Sequence, residues 1–163
     1  MIRLLAIDVD GTLTDGSIYM DGTGNEFKRF HVQDGMGIAL LRKSGVRIAL
    51  ISGRFSPATE KRARELQIDI VINGTEDKLE TLKSICRELM IHREEVVFAG
   101  DDINDMECIK WAGTGVAVAN AVPEVKEAAD LVCRKEGGQG AVREVVEWIL
   151  LQMNQEMGRT DHQ

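Results

Sequence analysis

The chain has 163 residues, of which 44% are hydrophobic and only 4% are aromatic, and its formal net charge is −7 at pH 7. The length predicts one domain, and the composition predicts a mainly aliphatic core. The acidic balance, with no basic stripe, argues against a nucleic-acid partner, and no apolar run approaches the ~20 residues that a membrane span needs.

Short apolar runs alternate along the chain with amphipathic segments of about ten residues. The apolar runs predict strands at residues 3–10, 46–52, 68–74, 95–102, 114–120 and 130–134. The amphipathic segments predict helices at residues 35–44, 56–67, 78–90, 103–113, 123–129 and 140–153. Residues 17–30 surround a glycine-rich turn, which predicts a projecting β-hairpin.

This alternation of strands and helices predicts the fold class. Strands joined by helices imply right-handed crossovers and a mostly parallel sheet, so we expect an α/β three-layer sandwich. Residues 1–153 form its single domain in this interpretation, and residues 154–163 form a polar C-terminal tail.

The cysteines and the first residues bear on localisation. Cys86, Cys108 and Cys133 are far apart and form no C-x-x-C pair, so we interpret them as reduced core residues. The chain opens on a strand-like run without the pattern of a signal peptide. We therefore predict a cytoplasmic protein.

Acids, a hydroxyl and a cation follow the predicted strands. The groups are Asp8 with Asp10, then Ser52-Gly53-Arg54, then Asn73-Gly74 with Lys78 just beyond, then Gly100-Asp101-Asp102 with Asp105 one turn further on. Ligands of open α/β sheets sit beyond the carboxyl ends of the strands, so these groups predict one site. Clustered carboxylates repel, and Mg²⁺ resolves this because it prefers carboxylates, waters and phosphate oxygens. The pattern leaves Mn²⁺ and Co²⁺ open as alternatives.

In this order, D-x-D-G-T, Ser52, Lys78 and G-D-D-x-x-D resemble the signature of the haloacid dehalogenase-type phosphotransferase superfamily. The resemblance implies that Asp8 is the nucleophile that forms an aspartyl-phosphate, and that Asp10 is the general acid and base. It also implies phosphate contacts and a metal site. The implied phosphate-binding residues are Ser52, Gly53 and Lys78. The implied Mg²⁺ ligands are the carboxylates of Asp8 and Asp101 and the backbone carbonyl of Asp10. Thr12, Asp102 and Asp105 would support the site.

A finer resemblance runs nearly end to end, through DVDGTLTDGSIYMDGTGNEFKRFHVQDGMG, ISGR, GTEDKLE and FAGDDINDMECIKWAGTGVAVANAVPEVKEAAD. These segments are similar to the 3-deoxy-D-manno-octulosonate 8-phosphate (KDO 8-phosphate) phosphatases. That family implies a capless, Mg²⁺-dependent homotetramer whose central hairpins bring a neighbouring subunit over each active site. The short spacing between the motifs leaves no room for a cap domain. The implied contacts to a sugar-acid phosphate are Asp10, His31, Val32, Gln33, Asp34, Gly35, Arg54, Arg62 and Lys78.

The residues leave other functions open. Gln139 stands where family members often carry arginine, so the sugar is not fixed, and a phosphatase for a nine-carbon, 9-phosphorylated sialic-type sugar is one alternative. Ala58 and Arg62 fit the eight-carbon type better. A non-catalytic oligomerisation module of the same fold is another alternative, although the clustered acids argue against it. A phosphomutase is a third, and it usually requires a cap.

Overall fold

The structure is a computed structural model, and it describes residues 1–160. Six strands form one sheet in the order β5-β4-β1-β6-β7-β8, and every neighbouring pair is parallel. Its strands are β1 (Leu4–Ile7), β4 (Arg47–Ser52), β5 (Ile70–Asn73), β6 (Val96–Gly100), β7 (Thr114–Ala117) and β8 (Leu131–Val132). The predicted parallel α/β sheet is confirmed.

Helices cover the sheet. They are α1 (Val32–Lys43), α2 (Pro57–Glu65), α3 (Lys78–Leu89), α4 (Met106–Trp111), α5 (Pro123–Ala128) and α6 (Ala141–Thr160). Helix α1 packs on α6, while α3 packs on α4 and α4 on α5. Strands that are covered on both faces have continuous apolar sequences, whereas strands with one exposed face alternate apolar and polar residues. Accordingly, every residue of β1 and of β6 is buried.

Two helices extend beyond the ranges predicted from the sequence. Helix α1 begins at Val32 instead of residue 35, because His31 caps it through an Nδ1 atom that accepts a hydrogen bond from the Gln33 N–H at 3.1 Å. Helix α6 continues to Thr160, so ending it at residue 153 was wrong. Residues 154–160 are mostly good helix formers, and the amino group of Met1 lies 3.4 Å from Glu156. Residues 161–163 of the predicted tail lie outside the described residues.

The hairpin consists of β2 (Tyr19–Met20) and β3 (Glu26–Phe27), which pair antiparallel. Its turn is organised by Asp21, whose carboxylate accepts hydrogen bonds from the backbone N–H groups of Thr23 and Asn25. Side-chain bonds from Asn25 and Thr23 lower the pKa of Asp21 to about 2. The hairpin exposes four large apolar side chains: Ile18, Tyr19, Met20 and Phe27.

The three cysteines are buried and unpaired, as the sequence predicted. Burial raises the pKa of both Cys108 and Cys133 to about 12, so little reactive thiolate is present near neutral pH. Within residues 1–160, no helix combines the length and the apolar character needed to cross a membrane.

Candidate active site

The first strand delivers Asp8 to the edge of the sheet. The Asp8 N–H still bonds to the carbonyl of Ala99 in β6, at 3.0 Å, and the chain then turns through a tight loop, Val9–Leu13. Thr12 Oγ1 donates a hydrogen bond to Asp8 Oδ2 at 3.1 Å. One oxygen of the predicted nucleophile is therefore held by its own loop.

The turn in this loop requires glycine at position 11. Gly11 has φ +87°, a conformation that L side chains rarely adopt. A Cβ atom there would also lie 2.0 Å from Asp101 Oδ2. Gly11 therefore lets the Asp8 loop and the acid after β6 approach each other closely.

Lys78 holds the other oxygen of Asp8. As the first residue of α3, it extends Nζ to within 2.6 Å of Asp8 Oδ1 and 2.8 Å of Asp105 Oδ1. Burial opposes the charge of Lys78, but the carboxylates of Asp8 and Asp105 outweigh it and raise the pKa of Lys78. Its ammonium group is therefore charged at any physiological pH.

Three carboxylates lie close together at this edge of the sheet. Oxygen atoms of Asp8, Asp101 and Asp105 all lie within 4.8 Å of one another. Asp105 is fully buried, and its Oδ2 accepts the backbone N–H groups of Asp101 and Asp102 at 2.9 and 3.2 Å. Because its Oδ1 is engaged by Lys78, Asp105 acts as a structural anchor for the Gly100-Asp102 loop. Asp8 and Asp101 are thus the carboxylates best placed to meet a metal.

The electrostatics of these acids favour a cation. Burial, followed by the charge of Asp105, raises the pKa of Asp8 to about 6 despite the opposing effect of Lys78. Burial and the neighbouring Asp8 raise the pKa of Asp101 to about 9. Carboxylates that are this costly to ionise together suit a hard divalent cation, which stabilises both charges. The residues present therefore fit Mg²⁺.

The loop after β4 forms another wall. Ser52 is buried, its Oγ donates to the Arg54 carbonyl at 2.8 Å, and it accepts the Arg54 N–H at 3.2 Å. This bonding fixes the Ser52-Gly53-Arg54 turn. Beside it lies a cavity of about 490 Å³, lined by Asp8, Asp10, Gly53, Arg54, Thr75, Glu76, Asp101, Asp102 and Asn104. Three of the four predicted strand-end groups line this cavity. Lys78, from the fourth group, contacts Asp8 in the cavity wall.

The residues predicted to contact the sugar from α1 and α2 lie outside the lining of this cavity. His31, Val32 and Gln33 lie at least partly exposed at the start of α1, whereas Asp34 and Gly35 are buried. Asp34 Oδ1 accepts the Arg143 N–H at 2.9 Å and so caps the start of α6.

Arg62 meets this segment from α2. The position of a Cβ on Gly35 would be 2.8 Å from Arg62 Nη2, and the Arg62 guanidinium lies 5.6 Å from the centre of the Phe30 ring. Neither Arg62 nor residues 31–35 belong to the lining of the 490 Å³ cavity.

Sequence reasoning missed two hairpin residues. Lys28 Nζ lies 2.5 Å from Asp10 Oδ1, and Glu26 accepts two hydrogen bonds from the Arg54 guanidinium, at 2.6 and 2.8 Å. The matched segment 8–37 contains Glu26 and Lys28 but assigned neither a role, and only the tertiary structure places the hairpin against the site.

It also missed Asn120. The Asn120 side chain donates to the Gly11 carbonyl at 2.9 Å and accepts the Gly137 N–H at 2.7 Å, which joins the Asp8 loop to a much later segment. Asn120 ends the predicted strand 114–120, so the strand-end rule was a signal that could have found it.

Comparisons with known proteins agree with this geometry. Residues 68–145 match a family model for haloacid dehalogenase-like hydrolases. The chain is 42% identical over 159 residues to the KDO 8-phosphate phosphatase of Yersinia pestis, covering 98% of this chain and 85% of the relative. It is 43% identical over 150 residues to the corresponding Escherichia coli K12 phosphatase, covering 92% and 80%.

Solved structures show the same likeness. The Moraxella catarrhalis KDO 8-phosphate phosphatase, crystallised with magnesium ion, phosphate ion and KDO, aligns with a TM-score of 0.91 at 40% identity, covering 99% of this chain and 94% of the other. The cobalt-bound Haemophilus influenzae enzyme aligns with a TM-score of 0.89 at 37% identity, covering 92% and 88%. By both sequence and structure, this chain belongs to the haloacid dehalogenase-like hydrolases and, among them, to the KDO 8-phosphate phosphatase family.

Proposed function

We propose that this protein is a Mg²⁺-dependent phosphatase that hydrolyses KDO 8-phosphate to KDO and phosphate through an aspartyl-phosphate. The observation that carries the proposal is Asp8, buried between Lys78 and Thr12 at the wall of a cavity that Asp10 and Asp101 also line. The Moraxella catarrhalis relative, crystallised with magnesium, phosphate and KDO, supports the metal, the chemistry and the sugar.

The first half-reaction transfers the phosphoryl group to Asp8. A carboxylate oxygen of Asp8 attacks phosphorus, and the bond from phosphorus to the sugar oxygen breaks. Asp10, in its protonated form, gives its proton to that departing oxygen. Lys78, held 2.6 Å from Asp8, keeps the attacking carboxylate oriented and offsets negative charge.

The second half-reaction releases phosphate. Asp10, now a carboxylate, takes a proton from a water molecule as that water attacks phosphorus, and the bond between phosphorus and Asp8 breaks. The Ser52-Gly53-Arg54 turn binds the phosphoryl oxygens in this proposal. Asp8 and Asp10 then return to their starting protonation states.

The metal supplies charge neutralisation. The carboxylates of Asp8 and Asp101 and the backbone carbonyl of Asp10 would hold Mg²⁺, which would reduce the repulsion between the anionic nucleophile and the anionic phosphate. Thr12, Asp102 and Asp105 support these ligands. The bonds of Asp105 to the Asp101 and Asp102 N–H groups are the clearest such support.

We propose that the working form is a cytoplasmic homotetramer in which a neighbour completes the site. The exposed apolar side chains of the hairpin support an interface, because a two-stranded hairpin is marginal in water on its own. In such an assembly the segment His31-Gly35 and Arg62 would contact the sugar. Light scattering and sedimentation of the wild-type protein test the tetramer.

The decisive experiment for function measures phosphate release from KDO 8-phosphate and from a nine-carbon sugar-acid 9-phosphate, with Mg²⁺ and with EDTA. We expect turnover of KDO 8-phosphate that requires Mg²⁺, and Asp8→Asn should abolish it while the circular dichroism spectrum is preserved. Preference for the nine-carbon substrate would overturn the proposed sugar. Retained turnover in Asp8→Asn would overturn covalent catalysis by Asp8, and an inert wild-type protein would favour the oligomerisation module.

A further inference from the structure

Lys28 is a buried cation that the proposed mechanism does not use. It follows β3 of the hairpin, and its side chain is 0% exposed. Its ammonium lies 2.5 Å from Asp10 Oδ1 and 3.6 Å from Glu26 Oε1. A buried lysine is costly unless it is paired, so these two acids fix where its charge can sit.

The contact divides the two oxygens of Asp10. Oδ1 is occupied by Lys28, whereas Oδ2 has no hydrogen-bond partner among residues 1–160. The Asp10 side chain is 25% exposed and lines the cavity that also holds Asp8 and Asp101. One oxygen is thus fixed by the hairpin, and the other is free to meet a substrate.

A second contact ties the hairpin to the opposite wall of the cavity. Glu26 accepts both arms of the Arg54 guanidinium, and Arg54 belongs to the turn whose shape Ser52 fixes. Bidentate pairs of this kind set geometry as well as adding stability. Residues of the hairpin therefore reach both the Asp10 loop and the Ser52-Arg54 turn.

We propose that Lys28 is a positioning residue for proton transfer by Asp10, an inference that rests on the proposed phosphatase function. By holding Oδ1, Lys28 selects the carboxyl orientation in which Oδ2 faces the departing sugar oxygen. The proton on Oδ2 moves to that oxygen as its bond to phosphorus breaks, and Lys28 keeps its own protons throughout. The hairpin thereby contributes to catalysis within its own subunit.

The two possible roles of Lys28, positioning Asp10 or simply anchoring the hairpin, predict different effects on substrates with good and poor leaving groups. A sugar alkoxide is a poor leaving group and depends on a well-placed proton, whereas p-nitrophenolate leaves without one. Loss of Lys28 should therefore slow formation of the aspartyl-phosphate from a sugar phosphate much more than from p-nitrophenyl phosphate. A loosened hairpin would slow both substrates alike.

The test is a single-turnover comparison of Lys28→Met with wild type on KDO 8-phosphate and p-nitrophenyl phosphate. We expect a loss of roughly 10–100-fold on the sugar phosphate, part of the 10²–10⁴-fold that general acid catalysis supplies, and a change below about threefold in the p-nitrophenolate burst. Lys28→Arg, which keeps the charge, should show a smaller loss with the same selectivity, and it also serves if Lys28→Met does not fold.

Two further variants control for other causes. Arg29→Met removes a cation from the next, exposed position and should leave both rates unchanged. Glu26→Gln weakens the tie to Arg54 and also removes one of the two acids that hold Lys28, so any selective loss there should be smaller than in Lys28→Met. Size-exclusion chromatography shows whether each variant keeps the wild-type assembly.

Equal losses on both substrates, or no loss on either, would overturn the role of Lys28. Failure of the proposed function looks different, because the wild-type protein itself would then release no phosphate from KDO 8-phosphate. In that event the comparison is made with an alkyl phosphate that the wild-type protein does hydrolyse.

Discussion

Replacing Lys78 by methionine should destabilise the protein strongly. Lys78 is the shared partner of two buried carboxylates, at 2.6 Å from Asp8 and 2.8 Å from Asp105. Methionine fills most of the same volume but leaves both acids without their ammonium partner. The cost is therefore electrostatic and not a loss of packing.

The magnitude follows from the burial of all three side chains, which are at most 6% exposed. Removing one partner from a buried ion pair typically costs about 3–5 kcal/mol. In a protein of this size each kcal/mol lowers Tm by roughly 2–4 °C, so we expect Lys78→Met to melt about 6–20 °C below wild type. Lys83→Met makes the same substitution at a partly buried position on α3 and should cost less than about 0.5 kcal/mol.

The pH dependence of this loss tests its origin. The pKa of Lys78 is raised, so the lysine is charged in folded and unfolded wild-type protein at pH 5–8 and does not itself cause a change there. Asp8 has a pKa of about 6 even with Lys78 present, and without that cation its pKa should rise further. The unpaired acid takes up a proton as the pH falls, so the difference between variant and wild type should shrink from pH 8 to pH 5.

The assay is thermal and urea unfolding of wild type, Lys78→Met and Lys83→Met, with EDTA present to remove bound metal. Lys78→Met within 2 °C of wild type at pH 8, or a difference that widens at pH 5, would refute the reasoning. Adding Asp105→Asn to Lys78→Met removes one of the two carboxylates left without an ammonium partner. The double variant should therefore recover part of the lost stability.

Three other predictions concern the metal, the loop and the last helix. Because Asp101 has a pKa of about 9 and Asp8 of about 6, Mg²⁺ binding must displace protons; affinity should rise from pH 6 to pH 8, and calorimetry in two buffers should detect proton release. Gly11→Ala places a Cβ against Asp101 and should lower kcat by about 100-fold, with weakened Mg²⁺ binding; unchanged kcat would contradict the proposed crowding. Asp34→Ala removes the cap from the start of α6 and should cost about 1–2 kcal/mol by urea unfolding; a neutral effect would show that the cap is dispensable.

The parallel sheet could be predicted because its strands are buried on both faces and leave unbroken apolar runs, as in β1 and β6. The strand-end rule then brought Asp8, Lys78 and Asp101 together, because parallel strands end at a common edge. Helix ends were harder to predict: His31 extended α1 by a cap that histidine seldom supplies, and α6 continued through residues that lack an apolar pattern.

The contacts of the hairpin could not be predicted at all. Glu26 begins the short strand β3 and Lys28 follows it, and their partners Arg54 and Asp10 lie on other segments of the chain. A backbone bridge between residues 14 and 30 anchors the base of the hairpin, and the direction in which the hairpin extends depends on side-chain contacts such as these. Asp34 illustrates the same limit, since its sequence neighbourhood gives no sign that it caps a helix 109 residues later.

The Asn120 bridge has a consequence for biosynthesis. The shape of the nucleophile's loop depends on a side chain 109 positions downstream, which in turn is oriented by the Gly137 amide. A nascent polypeptide emerging from the ribosome therefore carries Asp8 almost from the start, but the bridge that joins its loop to residue 137 can form only after most of the chain has been synthesised.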